Sequence, residues 1–350
     1  MIKGCLIGAL LLCAAIAHTV AQTTGFSLVR LDEKKKIEVW YGGKLLTAYC
    51  YFDSTEKPVL YPIKTVSGTT ITRGFPIAPR AGERTDHPHH VGLWLNYESV
   101  NGLDFWNNSD AIAADKKPKY GSIRHQRILS ANTLVHKGKP EAKLETLSHW
   151  VDINGNVLLE EITTYTFQVE NNSLIIDRAC TLKARVEQVI FKDVKDGLLG
   201  LRVARSLEMP SNQEDSFVDA QGNVTTVKKM DAEGVTGMYV NKEGIRGDAT
   251  WAKRSVWTTL NGKTDGKEVS IAIIDHPRNI GYPTYWHARG YGLFAANPLG
   301  QKIFSEGKEA LNFTLKKDET VNLKYRVVVH EGSTLAPTEI DALANDFAKR

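Results

Sequence analysis

Apolar side chains recur at every second position through most of this chain, in short runs that Gly, Asn and Asp interrupt. Ile37-Glu38-Val39-Trp40-Tyr41 is one such run, and residues 160–167, 173–176, 269–274 and 321–329 are others, rich in β-branched and aromatic residues. A period of two is that of a strand with one face buried. Tyr41-Gly42-Gly43-Lys44 and Asp152-Ile153-Asn154-Gly155-Asn156 supply hairpin turns between such runs. Strands of this kind bury their apolar faces by stacking sheets, so the pattern predicts an all-β fold, a large antiparallel β-sandwich with few short helices. The clearest helix lies at the C-terminal end, Pro337–Phe347, where Ile340, Leu343, Ala344 and Phe347 share a face and Pro337 or Thr338 begins it. It is expected to cover the end of a sheet. Residues 215–247 break the strand rhythm with polar turns and read as a long loop or insertion, the kind of segment that edges a binding site. No repeat of solenoid period and no low-complexity linker divides the chain, so residues 22–350 are expected to form a single domain.

The first residues add a compartment. Lys3, the apolar run 5–17 and the small residues near Thr19-Val20-Ala21 fit a secretory signal over residues 1–21, cleaved before Gln22, which implies a periplasmic or secreted protein. The run is short for a membrane span, and no later stretch approaches the ~20 apolar residues a spanning helix needs, so no transmembrane segment is expected in the mature chain. Cys13 follows Leu10-Leu11-Leu12, a poor setting for lipidation. Cys50 and Cys180 would remain, and an oxidising compartment permits one bridge between them. A net charge of +4 spread along the chain lacks the basic stripe of a nucleic-acid binder. There is no P-loop, Gly-x-Ser-x-Gly elbow, His-Glu-x-x-His helix or dinucleotide fingerprint, so no nucleotide cofactor is expected.

Candidate chemistry concentrates at Asp86-His87-Pro88-His89-His90, preceded by Arg73 and Glu83. Three imidazoles within four residues can act as acid and base, hold a polyhydroxylated ligand or bind a metal. In an extended segment His87 and His89 would point to one side and His90 to the other. His87 and His89 are therefore the candidate ligands for a divalent metal. The plainer alternative is that these histidines are exposed or merely satisfy backbone groups. His87, His89, His90, Glu83 and Asp86 form the candidate catalytic set. A second tripeptide, Asp275-His276-Pro277, follows a strand and leads into Tyr285-Trp286-His287, a composition suited to stacking on sugar rings or, alternatively, to capping a core. Lys192, Asp193 and Arg202 could face a common cleft or sit on a solvated hairpin tip. With Arg73, Asp275, His276, Tyr285, Trp286 and His287 they make the candidate substrate-binding set.

On these residues the chain resembles the bacterial family called PmoA-like, or DUF6807. The matching blocks are residues 72–76, Asp86-His87-Pro88-His89-His90 with Gly92-Leu93-Trp94, residues 100–106, Asp275-His276-Pro277, residues 286–298 and residues 325–332. Val91 departs from the arginine expected after the histidines in many members, which puts the shared substrate preference in doubt. The resemblance implies a supersandwich similar to galactose mutarotase and a setting among secreted carbohydrate-utilisation proteins. The methane-oxygenase name does not suit a chain without spanning helices. The expected function is that of a carbohydrate-processing protein, an epimerase-, lyase- or hydrolase-type enzyme on a sugar or oxidised glycoside. The alternative is a non-catalytic carbohydrate-binding protein of a glycan-utilisation system.

Overall fold

A computed structural model describes residues 25–210, 214–219 and 221–350. The expected signal at residues 1–21 lies outside the described residues. The alternating runs become strands of two eight-stranded antiparallel sheets. The first orders Phe26–Leu31, Lys36–Tyr41, Lys44–Cys50, Val59–Ile63, Leu93–Tyr97, Gly197–Arg202, Leu293–Asn297 and Tyr285–Arg289 from edge to edge. The second orders Met238–Asn241, Trp257–Thr264, Lys267–Asp275, Thr320–Glu331, Ser173–Ala184, Val157–Glu170, Lys139–Val151 and Ser122–His136.

The core lies between them. Ile37, Leu46, Leu95, Leu199 and Phe294 of the first sheet join Leu144, Phe167, Ile176, Ile271 and Val327 of the second in one buried cluster. Burying such side chains contributes about 1.5–3 kcal/mol each, which is the term that selects the register, because a one-residue slip would turn the apolar set outward.

The C-terminal helix spans Pro337–Phe347 as the pattern predicts, and the Glu339 carboxylate accepts the Ala336 N–H at 2.7 Å. It does not cover a sheet end. Ile340 and Phe347 pack on Ile175, Trp257, Ala272, Ile274 and Val328, the outward face of the second sheet. Strands of that sheet are apolar on both faces for this reason. Cys50 and Cys180 are both buried and unbridged, one on the outward face of the first sheet and one in the central core. No helix among the described residues is long and apolar enough to cross a membrane.

Candidate active site

The site is built on the outward face of the first sheet, by the same alternation that fills the core. In Tyr285–Arg289, Trp286 and Ala288 enter the core while His287 takes the other face. In Gly197–Arg202, Leu199 and Leu201 go inward, leaving Gly200 and Arg202 outward. Trp94 on the neighbouring strand lies over Gly200, where an added Cβ would stand 2.4 Å from the indole. The glycine therefore admits the indole against the sheet.

The connection between Val59–Ile63 and Leu93–Tyr97 carries the histidine motif across this floor. Arg73, only 1% exposed, gathers the motif's backbone. Its guanidinium donates to the carbonyls of Asp86 (2.7 Å), His87 (2.8 Å) and His90 (2.9 Å). Lys57 Nζ donates to the His89 carbonyl at 2.7 Å. Arg202, wholly buried, lies 2.9 Å from Oδ2 of Asp86 and donates to Nδ1 of His90 at 3.3 Å.

The motif is not extended. His87 adopts φ 43°, in the left-handed region that non-glycine residues rarely occupy. Its ring consequently stacks on His90 at 4.6 Å and 2°, while His89 stands edge-on to both. The expectation that His87 and His89 share a face, with His90 opposed, fails because this turn rotates His87. A cluster of near-parallel rings results: His87 lies 4.6 Å from His90 and 5.1 Å from Tyr291, His90 and Tyr291 are 6.4 Å apart, and Trp94 lies 5.3 Å from His90.

Beside these rings is a cavity of about 290 Å³, lined by all three motif histidines, Trp106, Lys195, Asp196, His287 and Tyr291. The hairpin Asp215–Val218/Val224–Val227 closes it with Phe217, Asp219 and Asn223. Tyr120 ties the hairpin down, its hydroxyl donating to Asp219 at 3.1 Å and accepting from Asn223 at 2.6 Å. The insertion expected over residues 215–247 thus edges the site.

The charges are arranged in two groups. Burial alone would raise the Asp86 carboxyl, but the Arg202 guanidinium, the His87 ring and Arg73 together hold it far below the usual carboxylate range. A carboxylate so held cannot donate, so in the 2.6 Å contact between His87 Nδ1 and Asp86 Oδ2 the imidazole N–H is the donor. Burial lowers His87 below its ordinary value, against the pull of Asp86, and lowers His89, His90 and His287 further. The imidazoles are neutral at pH 7. His87 Nε2 then carries a lone pair with no hydrogen-bond partner among the described residues. Across the strand, Asp196 Oδ1 is 3.5 Å from Nδ1 of His287. Burial raises the Asp196 carboxyl, Lys195 and Arg289 opposing.

Among the predicted residues, His87, His89, His90 and His287 meet in this cavity, with Asp86 directly behind His87. Arg73 and Arg202 do not face it. They support the motif from beneath. Glu83 lies outside, its carboxylate accepting the Gly74 N–H at 2.7 Å and pairing with Arg80. Lys192 is exposed, and Asp193 caps backbone, accepting the Lys302 and Leu311 N–H groups. The neighbouring pair Lys195 and Asp196 faces the cavity instead, because the chain turns there to enter Gly197–Arg202.

The second Asp-His-Pro motif stands apart from the cavity. Asp275 accepts from Asn279 (2.7 Å) and from the Thr284 N–H (2.8 Å), which closes its own loop, and His276 packs edge-on against Phe347 of the C-terminal helix. Tyr285 stacks on Phe304, with the Arg254 guanidinium over its ring at 4.3 Å, and Trp286 is core, donating to the Ser255 carbonyl at 3.0 Å. Among the described residues no three His, Cys, Asp or Glu side chains converge on a metal-sized site. The Asp86 contact occupies Nδ1 of His87 and leaves its Nε2 free, and the His87 and His89 rings are crossed at 76°.

Trp106, Tyr291, Lys195 and Asp196 were absent from the predicted set. Their signal was positional: Asp196 immediately precedes a strand whose alternation is regular, and Tyr291 follows one.

A family model described as "Family of unknown function (DUF6807)" matches residues 36–345. This chain belongs to that family. No curated protein matches it. Among solved structures it is similar to the galactosidase domain of the α-galactosidase–sucrose kinase AgaSK, at 12% identity and a TM-score of 0.40, covering 87% of this chain and 42% of that one. It is also similar to the α-galactosidase from Lactobacillus brevis (9%, 0.37, 88% and 39%). A galactose mutarotase related enzyme from Lactobacillus acidophilus matches at 9% and 0.31, covering 87% of this chain and 97% of that one. The chain spans about two fifths of the length of the two galactosidases.

Proposed function

We propose that this DUF6807 protein is a carbohydrate-processing enzyme that moves protons within the cavity, with His87 as general base and Asp196 as its acid partner. The observation that carries this reading is the 2.6 Å contact from His87 Nδ1 to a permanently ionised Asp86, which fixes the tautomer and leaves Nε2 basic. Two groups whose surroundings shift them in opposite directions in one pocket, His87 down and Asp196 up, are the parts acid–base chemistry needs. Neutral His87 takes a proton from a sugar hydroxyl or carbon, and Asp196, whose carboxyl burial raises, is the group that returns one to another oxygen. Epimerase-, lyase- and hydrolase-type reactions all use these parts. Trp106 and Tyr291 offer ring faces to the apolar side of a sugar, and Lys195, Asn223 and His287 offer hydrogen bonds to its hydroxyls. Export to the periplasm or medium belongs to the same proposal.

The test is a turnover screen of full-length protein on hexoses, hexuronic acids and oxidised glycosides, read by NMR, beside His87→Ala. A substrate altered by wild type and slowed ~10²-fold or more in the variant is expected. If ligands bind but none is altered, the protein is a carbohydrate-binding module and the enzyme reading fails.

A further inference from the structure

Two residues beyond His287 on the same strand, and on the same face, stands Arg289. It is held between two rings, its guanidinium carbon 4.7 Å from the Trp251 centroid and 5.5 Å from that of Phe217. It forms no ion pair and no hydrogen bond with any described residue, and its Nε is shut away from solvent without an acceptor. A guanidinium has five donors and no acceptor, and buried donors left unmet cost free energy. The buried arginines Arg73, Arg84, Arg202 and Arg326 each have a carboxylate or several carbonyls, although Nε of Arg73 and of Arg202 is likewise unmet. Arg289, half-buried, has neither a carboxylate nor a carbonyl among the described residues.

It lines a second cavity, of about 490 Å³, on the far side of the hairpin. Phe217 and Tyr291 line both cavities, so the wall between the two spaces is built from these rings, 5.3 Å apart. Asp215 and Asp248 also border the second space, and neither pairs with Arg289. Side chains two apart on one strand face lie about 7 Å from one another. That distance carries a sugar from its reacting atoms beside His287 to a substituent on its far side. The closeness has an electrostatic trace as well, since Arg289 lowers both His287 and Asp196.

We infer that the substrate is an acidic sugar, and that Arg289 binds its carboxylate through the planar guanidinium fork. A carboxylate matches that fork in two parallel hydrogen bonds, whereas sugar hydroxyls would leave the cation uncompensated. Arg289 binds and orients the sugar; it takes no part in the proton transfers. The inference rests on the carbohydrate reading above and narrows it to uronic acids and related sugar carboxylates.

Calorimetric titration of full-length protein decides it without requiring turnover. The probes are glucuronate and galacturonate, their methyl esters and the corresponding neutral hexoses. Wild type is expected to bind an acid at least tenfold more tightly than its ester or hexose, with the preference weakening as salt is added. Arg289→Gln is expected to bring the acid-to-hexose ratio close to one, and Arg289→Lys to keep part of it, with thermal melts showing both variants folded. Because the ester comparison uses wild type alone, a variant that does not fold leaves the test intact. Hexoses bound as well as acids would overturn this inference and spare the carbohydrate reading. No binding of any sugar would overturn both.

Discussion

Oδ2 of Asp86 is shared between Nδ1 of His87 at 2.6 Å and Nη1 of Arg202 at 2.9 Å. One buried carboxylate thus orients the candidate base and neutralises an arginine with no access to water. Removing one member of such a pair leaves the other charge buried alone, at a cost of about 3–5 kcal/mol. Asp86→Asn is expected to lose stability on that scale in urea unfolding. A loss under about 1 kcal/mol, the scale of an exposed pair, would show that Arg202 finds another partner.

The same contact sets a pH dependence. Burial places His87 below 6.5 in spite of Asp86, and its working form is the neutral one. Activity is therefore retained above the His87 pKa and lost as pH falls through it, so the acid limb of kcat/KM is expected below pH 6.5. In Asp86→Asn the anion that favours the imidazolium is gone. The limb should move to still lower pH while kcat drops, because the tautomer is no longer fixed. An acid limb above 6.5 would assign the base to another group.

Much of the fold and part of the site could be read from the sequence, and the reason is local in each case. Ile37 and Val39 alternate with partly exposed neighbours in a period that states which face is buried, and the helix from Pro337 carries its apolar face and its start in eleven residues. His87, His89 and His90 are adjacent in sequence, so their meeting needed no long-range information. What was not legible depends on the turn at His87 and on contacts far apart in the chain. Asp275 and His276 entered the substrate-binding set on the repeated Asp-His-Pro motif, yet Asp275 is consumed by Asn279 and Thr284 nine residues away or fewer. Arg202 and Arg73 read as ligand-binding because arginines beside histidines so often are. Their 0–1% exposure shows them to be supports. Asp196 and Asp193 differ in role only through which side of the chain faces the sheet.

Lys57 offers a stability test with a definite sign. It is buried, with Nζ on the His89 carbonyl at 2.7 Å, and burial lowers it from 10.5 to about 7. Between about pH 7 and 10.5 the unfolded chain binds a proton that the folded protein does not, so this group's contribution rises with pH across that window and is least favourable below about 7. Lys57→Met is expected to be more stable than wild type at pH 6, with the gap closing toward pH 10. Ligand affinity should fall in the same variant, since the His89 carbonyl loses its donor. A gap that widens with pH would mean that Lys57 is charged and compensated when folded.

Gly92 ties the motif to the sheet, and its requirement can be separated from the general cost of a left-handed residue. It has φ 57°, its carbonyl accepts the Arg202 N–H at 2.9 Å, and a Cβ would stand 2.2 Å from the Leu60 carbonyl oxygen. Gly82 has φ 79° with nothing within 4 Å of the same position. Gly82→Ala should therefore cost about 1 kcal/mol, the backbone penalty alone, and leave sugar binding as it was. Gly92→Ala pays that penalty and also forces Leu93 away from Leu60, its partner across the ladder. The expected loss is about 3 kcal/mol or more, with weaker ligand binding because His90 and His87 move with the strand end. Urea unfolding and calorimetry on the two variants side by side provide the comparison. Equal losses would mean that the strand yields easily at Leu60, and that Arg73 and Arg202 alone hold the histidines in place.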